Sequence, residues 1–302
     1  MTAASEARRV PVVAGGLKRG SLSFRRRFVD IFSKVLMTVA LLLAVTPLVL
    51  VLIYVAQRGG KVISLDFFTE DIVPSPRRSG GGMAPAIVGT LIITGAASLL
   101  AIPLGVLGAV YLNEYGKKNA LARFIRIMSD VMTGVPSIVM ALFIYVAVVL
   151  VTGDKTGLAA ALALAALMLP VVLRSSEEML KLVPDELRQA SAALGARRWK
   201  ATVSVVLPAA ISGITSGIML AIARAAGETT PIVVCAGIAY SVSWDLNSQQ
   251  TALPAQIFSN AAQPFDPAVA RAWGAALTLT IIVLVFTLAA RFVASRFAIK
   301  NR

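Results

Sequence analysis

The sequence contains no histidine and a single cysteine, Cys235, among 302 residues. Without histidine, a Ser-His-Asp triad, a His-ligated metal and the HExxH protease signature are all excluded. One cysteine rules out an intrachain disulfide, and no thiolate metal cluster can form within the chain. No stretch reads GxxxxGK[ST], so the chain carries no P-loop of its own. Charge is scarce as well. Only 15% of residues are charged, against about 25% in soluble globular proteins. Apolar residues make up 57% of the chain, with a mean hydropathy of +0.80. That composition describes a helical protein that crosses a membrane several times.

The formal net charge is +14, and where it sits matters more than its size. A membrane helix needs ~20 mostly apolar residues, and six stretches qualify. They lie near 34–56, 84–112, 127–151, 157–174, 207–237 and 271–295. The fourth is the shortest and is built mainly from Ala and Leu. The fifth, of about 30 residues, is longer than the ~30 Å hydrocarbon core requires. Of the 29 Lys and Arg residues, 22 fall in the N-terminal tail, alternate loops and C-terminal tail, and 5 in the intervening loops. By the positive-inside bias both termini are expected in the cytoplasm. The charge is thus a topology signal, and nucleic acid is not the expected partner.

No small-residue cleavage site follows an apolar core within the first 33 residues, so the first span is expected to remain as an anchor. Residues 1–33 read as a basic cytoplasmic tail, with 1–20 expected to be disordered, and two readings are open for SLSFRRRFVDIF: an amphipathic helix at the inner leaflet, or a continuation of the disordered tail. The membrane domain then covers 34–302.

Two loops hold more than a connection. In the last external loop, Ile257, Phe258, Ala261 and Ala262 fall at helical spacing. A short helix is expected there, either contacting a soluble external partner or capping the bundle. The cytoplasmic loop at about 175–206 carries two helical patterns. In the first, Pro184 suits the first helical position, and Asp185 and Glu186 complement the helix dipole. Leu187, Ala190, Ser191 and Leu194 form a narrow stripe of small and apolar residues, and Gly195 stands where a left-handed cap is common. The second pattern restarts at Trp199, Val203 and Val206. Two readings are open: docking into another protein's groove, or a surface helix folded back on its own bundle.

The segment QASAALGARRWKATVSVVLP (189–208) resembles the cytoplasmic motif of ABC-importer permeases, in which EAA is followed by Gly and later by Ile-x-Leu-Pro. Gln189 stands for the glutamate and Ser191 for the second alanine, while Ala190, Gly195, Leu207 and Pro208 match. Downstream, SGITSGIMLAIARAAGETTPIVV, GVPSIVMALF (134–143), and LPAQIFSNAAQP followed by RAWGAAL look like phosphate-importer permeases of the PstA type. The resemblance implies a type I importer permease: six transmembrane helices and a cytoplasmic coupling helix, in the bacterial cytoplasmic membrane. It also implies partners: a second, PstC-type permease subunit, two ATPase subunits and an external phosphate-binding protein. Coupling to the ATPase would run through Arg188, Gln189, Ala190, Ser191, Leu194, Gly195 and Trp199. The chain would bind no cofactor itself, with ATP-Mg held by the partner ATPase, and would not be an enzyme.

Arg224 and Glu228 lie in the fifth apolar stretch, one helical turn apart, and Arg224 is expected deep, near the middle of the span. An arginine there costs ~2.5–3.5 kcal/mol on insertion scales. Glu228, one turn on, partly neutralises it, and Gly227, Thr229 and Thr230 add a weak point and two hydroxyls. The pair either fixes how helices meet or lines an anion path with Thr229 and Thr230. A guanidinium matches phosphate oxygens bidentately and stays charged. Gly213 and Gly217 form a GxxxG for close helix approach, and Pro103 and Pro136 are positioned to kink their spans. Permeases for sulfate or molybdate share the cytoplasmic motif. An ion-driven secondary transporter would instead show internal symmetry and coupling carboxylates, and no convincing repeat is present. An intramembrane enzyme lacks a catalytic set.

Overall fold

A computed structural model describes residues 24–116 and 119–297. Helices are the regular structure throughout these residues. The chain divides into two units after Tyr54. In the first unit, helix α1 (Phe24–Gly59) includes the segment expected at the inner leaflet and runs on through the first span without a break. Residues 1–23, most of the expected basic tail, lie outside the described residues. From Phe28 to Tyr54 the large apolar side chains of α1 are exposed, and its most apolar stretch reaches a mean hydropathy of 2.8. A helix apolar on every side is solvated by lipid rather than by a protein core.

The second unit opens with α2 (Leu65–Thr69), where the Ser64 hydroxyl accepts from the Phe67 N–H at 3.2 Å and Phe67 is buried. There follow α3 (Ala84–Tyr115), α4 (Ala120–Gly134), α5 (Ser137–Thr152) and α6 (Gly157–Lys181). A short α7 (Asp185–Ala193) precedes α8 (Arg198–Gly227), and α9 (Leu253–Ala261) and α10 (Asp266–Phe297) complete the unit. Among the described residues five helices are long and apolar enough to cross a membrane, and the count reaches the expected six when the bent pair α4–α5 is taken as one span.

The short Ala-rich stretch turns out to be the centre of the bundle. Helix α6 packs against α3, α4, α5 and α8. Ala159, Ala160, Ala161 and Ala163 are fully buried, because only small side chains let several helices approach one axis at once. Gly105 of α3 shows how close that approach is: a Cβ there would lie 2.7 Å from Cγ1 of Val172. Gly213 and Gly217 do the same for α8, meeting Met179 and Ser175 of α6.

Two expected spans are interrupted. The stretch 127–151 bends by 107° between α4 and α5. Val135 and Pro136 are extended, with ψ of 129° and 138°, since proline disfavours the helical region for the residue before it. The stretch 207–237 is not one helix either. α8 ends at Gly227, Glu228 is extended with ψ of 121°, and a separate helical turn covers Ile232–Ala236. The helix also starts earlier than expected, at Arg198 rather than 207.

The unit has two ends. At one, α7 lies beside the C-terminal ends of α3 and α6. At the other, the chain between Gly237 and Ala252 covers the start of α6: the Gly157 and Leu158 N–H groups donate to Ser248 O at 3.0 Å and Leu246 O at 2.7 Å. The helix expected in the last loop is α9, tied to α3 by the Leu253 N–H donating to the Thr90 hydroxyl at 2.9 Å. Ile257 packs inward and Phe258 is exposed.

Candidate functional site

Helix α7 begins one residue later than expected: Pro184 is not its first helical residue but the extended residue before it, with ψ of 139°, and Asp185 and Glu186 occupy the first turn as expected. Gly195 takes φ of +79°. Its N–H donates to Ala192 O at 2.9 Å, and the Ala196 N–H to Ser191 O at 3.1 Å. These two bonds satisfy carbonyls that the helix end leaves free, the pairing of a Schellman cap.

The stripe is divided between two environments. Ser191 is buried against the bundle, whereas Leu187, Gln189, Ala190 and Leu194 are exposed. Leu194 is 88% exposed, Leu182 73% and Trp199 57%. One side of the helix therefore folds back on the bundle, and the other presents apolar surface outward.

Arg188 makes the inward attachment. Its Nη2 donates to Glu114 Oε1 at 3.0 Å and to Leu180 O at 2.9 Å, and its Nη1 to Val183 O at 2.6 Å. Glu114 sits in a wide π-type turn, Tyr111–Tyr115, at the end of α3, and also accepts from Asn113 at 2.8 Å. Arg198 stacks over the Tyr115 ring at 5.2 Å. The short helix is thereby fastened to the end of a membrane helix by charge-assisted bonds.

A second cluster lies beside the first and was not anticipated from sequence. Glu177 of α6 has no exposed side-chain surface and accepts from three cations: Arg126 Nε at 2.7 Å, Lys181 at 2.9 Å and Arg174 at 3.3 Å. Arg174 also pairs with Asp130 of α4, and Arg126 donates to Leu112 O of α3 at 2.8 Å. One buried carboxylate thus joins α3, α4 and α6. The signal was the EE pair following RSS in the cytoplasmic loop, where an apparent loop residue is in fact the last turn of a buried helix.

The charged pair of the fifth stretch sits elsewhere. Arg224 occupies the last turn of α8, not the middle of a helix. That position suits a cation, because the helix carbonyls end there. Its Nε approaches Glu228 Oε1 at 3.5 Å, with Arg224 69% exposed and Glu228 21%. Both line an open cavity of about 200 Å³, together with Met132, Pro136 and Ser137 from the α4–α5 bend and Met168 of α6. The two breaks in the helical pattern, at Pro136 and after Gly227, therefore face one cleft. Thr229 and Thr230 follow Glu228 and are partly exposed, but neither lines this cavity.

The fold is a bundle centred on a small-residue helix, with an outlying short helix stapled to one end. A family model for binding-protein-dependent transport system inner membrane components matches residues 101–299. The chain belongs to this family of multi-pass membrane transport subunits. It is 43% identical over 282 residues to the phosphate transport system permease protein PstA 1 of Mycobacterium tuberculosis (strain CDC 1551 / Oshkosh), covering 91% of this chain and 92% of that one. Against PstA of Mycobacterium leprae (strain TN) the identity is 41%, with 91% and 92% covered. Against PstA of Yersinia pestis it is 39%, with 89% and 90% covered. Among solved structures, an inward-facing MetNI methionine ABC transporter superposes with a TM-score of 0.61 at 17% identity, over 72% of this chain and 96% of that one. A bacterial ABC transporter that imports the acidic polysaccharide alginate gives 0.58 at 14%, over 91% and 98%. At those identities the likeness concerns the fold.

Proposed function

We propose that this chain is one of two permease subunits of an ATP-driven importer of inorganic phosphate. The observation that carries the reading is the cleft where Arg224 and Glu228 meet the α4–α5 bend, in a chain 43% identical to a phosphate transport system permease. Phosphate bears one to two negative charges near neutral pH, and its passage through hydrocarbon needs a cation. Arg224 supplies one, in a planar guanidinium that matches phosphate oxygens in pairs. Glu228 shares it at 3.5 Å, so the anion is attracted without being trapped. Thr229 and Thr230 extend the polar surface just beyond the cleft.

The exposed side of α7, with Gln189, Ala190 and Leu194, and the neighbouring Trp199 dock on an ATPase subunit. Arg188, Ser191 and Gly195 hold that surface in register with α3. ATP-Mg belongs to that partner, and this chain binds no cofactor. A PstC-type subunit completes the path, a second ATPase completes the motor, and an external phosphate-binding protein delivers the anion. Both termini are cytoplasmic, on the same side as α7.

The test is Arg224→Gln in the assembled complex, with phosphate uptake and subunit assembly measured together. Assembly is expected to be retained and uptake lost. Normal uptake in an assembled complex overturns the path role, and lost assembly makes the pair structural. Uptake by the chain alone in liposomes, without an ATPase, would point to a secondary transporter. Preferential uptake of sulfate or molybdate would reassign the substrate.

A further inference from the structure

At the end of the bundle opposite α7 lies a second cavity, of about 330 Å³. Its lining includes two cations, Lys155 and Arg271, and no aspartate or glutamate. Arg271 is in the second turn of α10 and is 4% exposed. Its Nη1 donates to Arg78 O at 2.7 Å and its Nη2 to Ser75 O at 3.3 Å. Its buried Nε–H has no partner. Lys155 is partly buried, with its ammonium 5.8 Å from the Tyr145 ring centre, and among the described residues it too pairs with no carboxylate. Gln256, Ser259 and Asn260 of α9 complete one wall. They are held by Gln256 donating to Thr251 at 3.0 Å and Asn260 donating to Gln256 at 3.0 Å.

A buried cation is normally compensated by a carboxylate, because an unpaired one costs far more than a neutral polar group. Carbonyl oxygens answer two of the Arg271 nitrogens but not its charge. A cavity with two uncompensated positive charges, an orphan donor and amide and hydroxyl groups on its wall is complementary to an anion rich in acceptors. Its volume leaves space for such an ion with part of its water, since one water needs only about 10–15 Å³ on this scale.

We propose that this cavity is a binding site for a tetrahedral oxyanion, separate from the Arg224–Glu228 cleft and on the opposite face to α7. Its naming as phosphate rests on the function proposed above, while its charge does not. An anion held there is collected before it reaches the path.

The probe is inorganic phosphate, measured by equilibrium binding to the assembled complex in nanodiscs without the external binding protein. All samples carry Arg224→Gln, so the cleft does not contribute. Saturable binding is expected, and Lys155→Gln should weaken it about three- to tenfold, as loss of one charge contact does. Among the described residues the Lys155 side chain makes no hydrogen bond, only the approach to the Tyr145 ring, and subunit assembly is measured alongside binding for each variant. Arg271→Lys keeps the charge while losing the fork, and should weaken binding with assembly intact. If sulfate binds instead of phosphate, the site stands and the phosphate reading falls. If neither anion binds, or Lys155→Gln changes nothing, the site is refuted, even where the unsubstituted complex imports phosphate.

Discussion

Replacing Glu177 by Gln keeps the shape of the side chain and removes one charge. In the folded chain that carboxylate is fully enclosed and takes hydrogen bonds from Arg126, Lys181 and Arg174 at 2.7, 2.9 and 3.3 Å. Breaking a wholly buried ion pair costs about 3–5 kcal/mol, whereas an exposed pair is worth about 0.2–1 kcal/mol. Here the anion is dry but the cations are 28%, 49% and 30% exposed, so water relieves part of the repulsion that remains. The expected loss is therefore about 2–3 kcal/mol. At about 2–4 °C per kcal/mol for a domain of this size, the midpoint falls by roughly 5–10 °C. The molecule contains its own reporter, because Cys235 is the only cysteine and is fully buried. Its reaction with a thiol-specific dye during heating in detergent follows unfolding directly. Lys181→Met is the control. It removes one half-exposed cation and should shift the midpoint by less than about a third as much. A Glu177→Gln midpoint within about 1 °C of the parent, or one equal to the control's, would refute the reasoning.

Two further substitutions address the helices on either side of this cluster. Gly195 has φ of +79° and open space around it, so Gly195→Ala acts through backbone conformation alone. It should cost about 1 kcal/mol and speed amide exchange in the last turn of α7 about fivefold, with Gly195→Asn closer to the parent. Unchanged exchange would mean that the cap does not hold the helix end. At Gly217 a Cβ would lie 2.6 Å from that of Ser175. Gly217→Val should lower stability by about 1–3 kcal/mol through overpacking between α8 and α6. Gly217→Val combined with Ser175→Gly should recover part of that loss in the same thermal assay.

How much could be known before any coordinates depended on the range of the interactions involved. The membrane class, the number of crossings and α7 with its cap are set by composition, by ~20-residue apolar runs and by contacts three to four residues apart. These are local, and a linear reading captures them. Of the two prolines positioned to kink their spans, Pro136 stands at the 107° bend while Pro103 lies within an unbroken helix, since proline constrains its neighbour but does not always end a helix. Gly227 was recognised as a weak point, but not as the end of a helix. An apolar run looks alike whether it continues as a helix or stops and restarts, so Arg224 was placed in mid-span instead of in a final turn.

Glu177 and Arg271 were invisible for a different reason. One sat in what looked like a polar loop and the other at the edge of a span, where a charge is unremarkable. What makes them special is partners 51 and 193 residues away, and enclosure by helices whose packing depends on small residues scattered across α3, α6 and α8. The same holds for the division of α7 into an anchored side and an exposed one, since Arg188 finds Glu114 at a separation of 74 residues. Periodicity and turn chemistry act along the chain. Burial, charge pairing and shared cavities arise between elements, and they exist only once the bundle has closed.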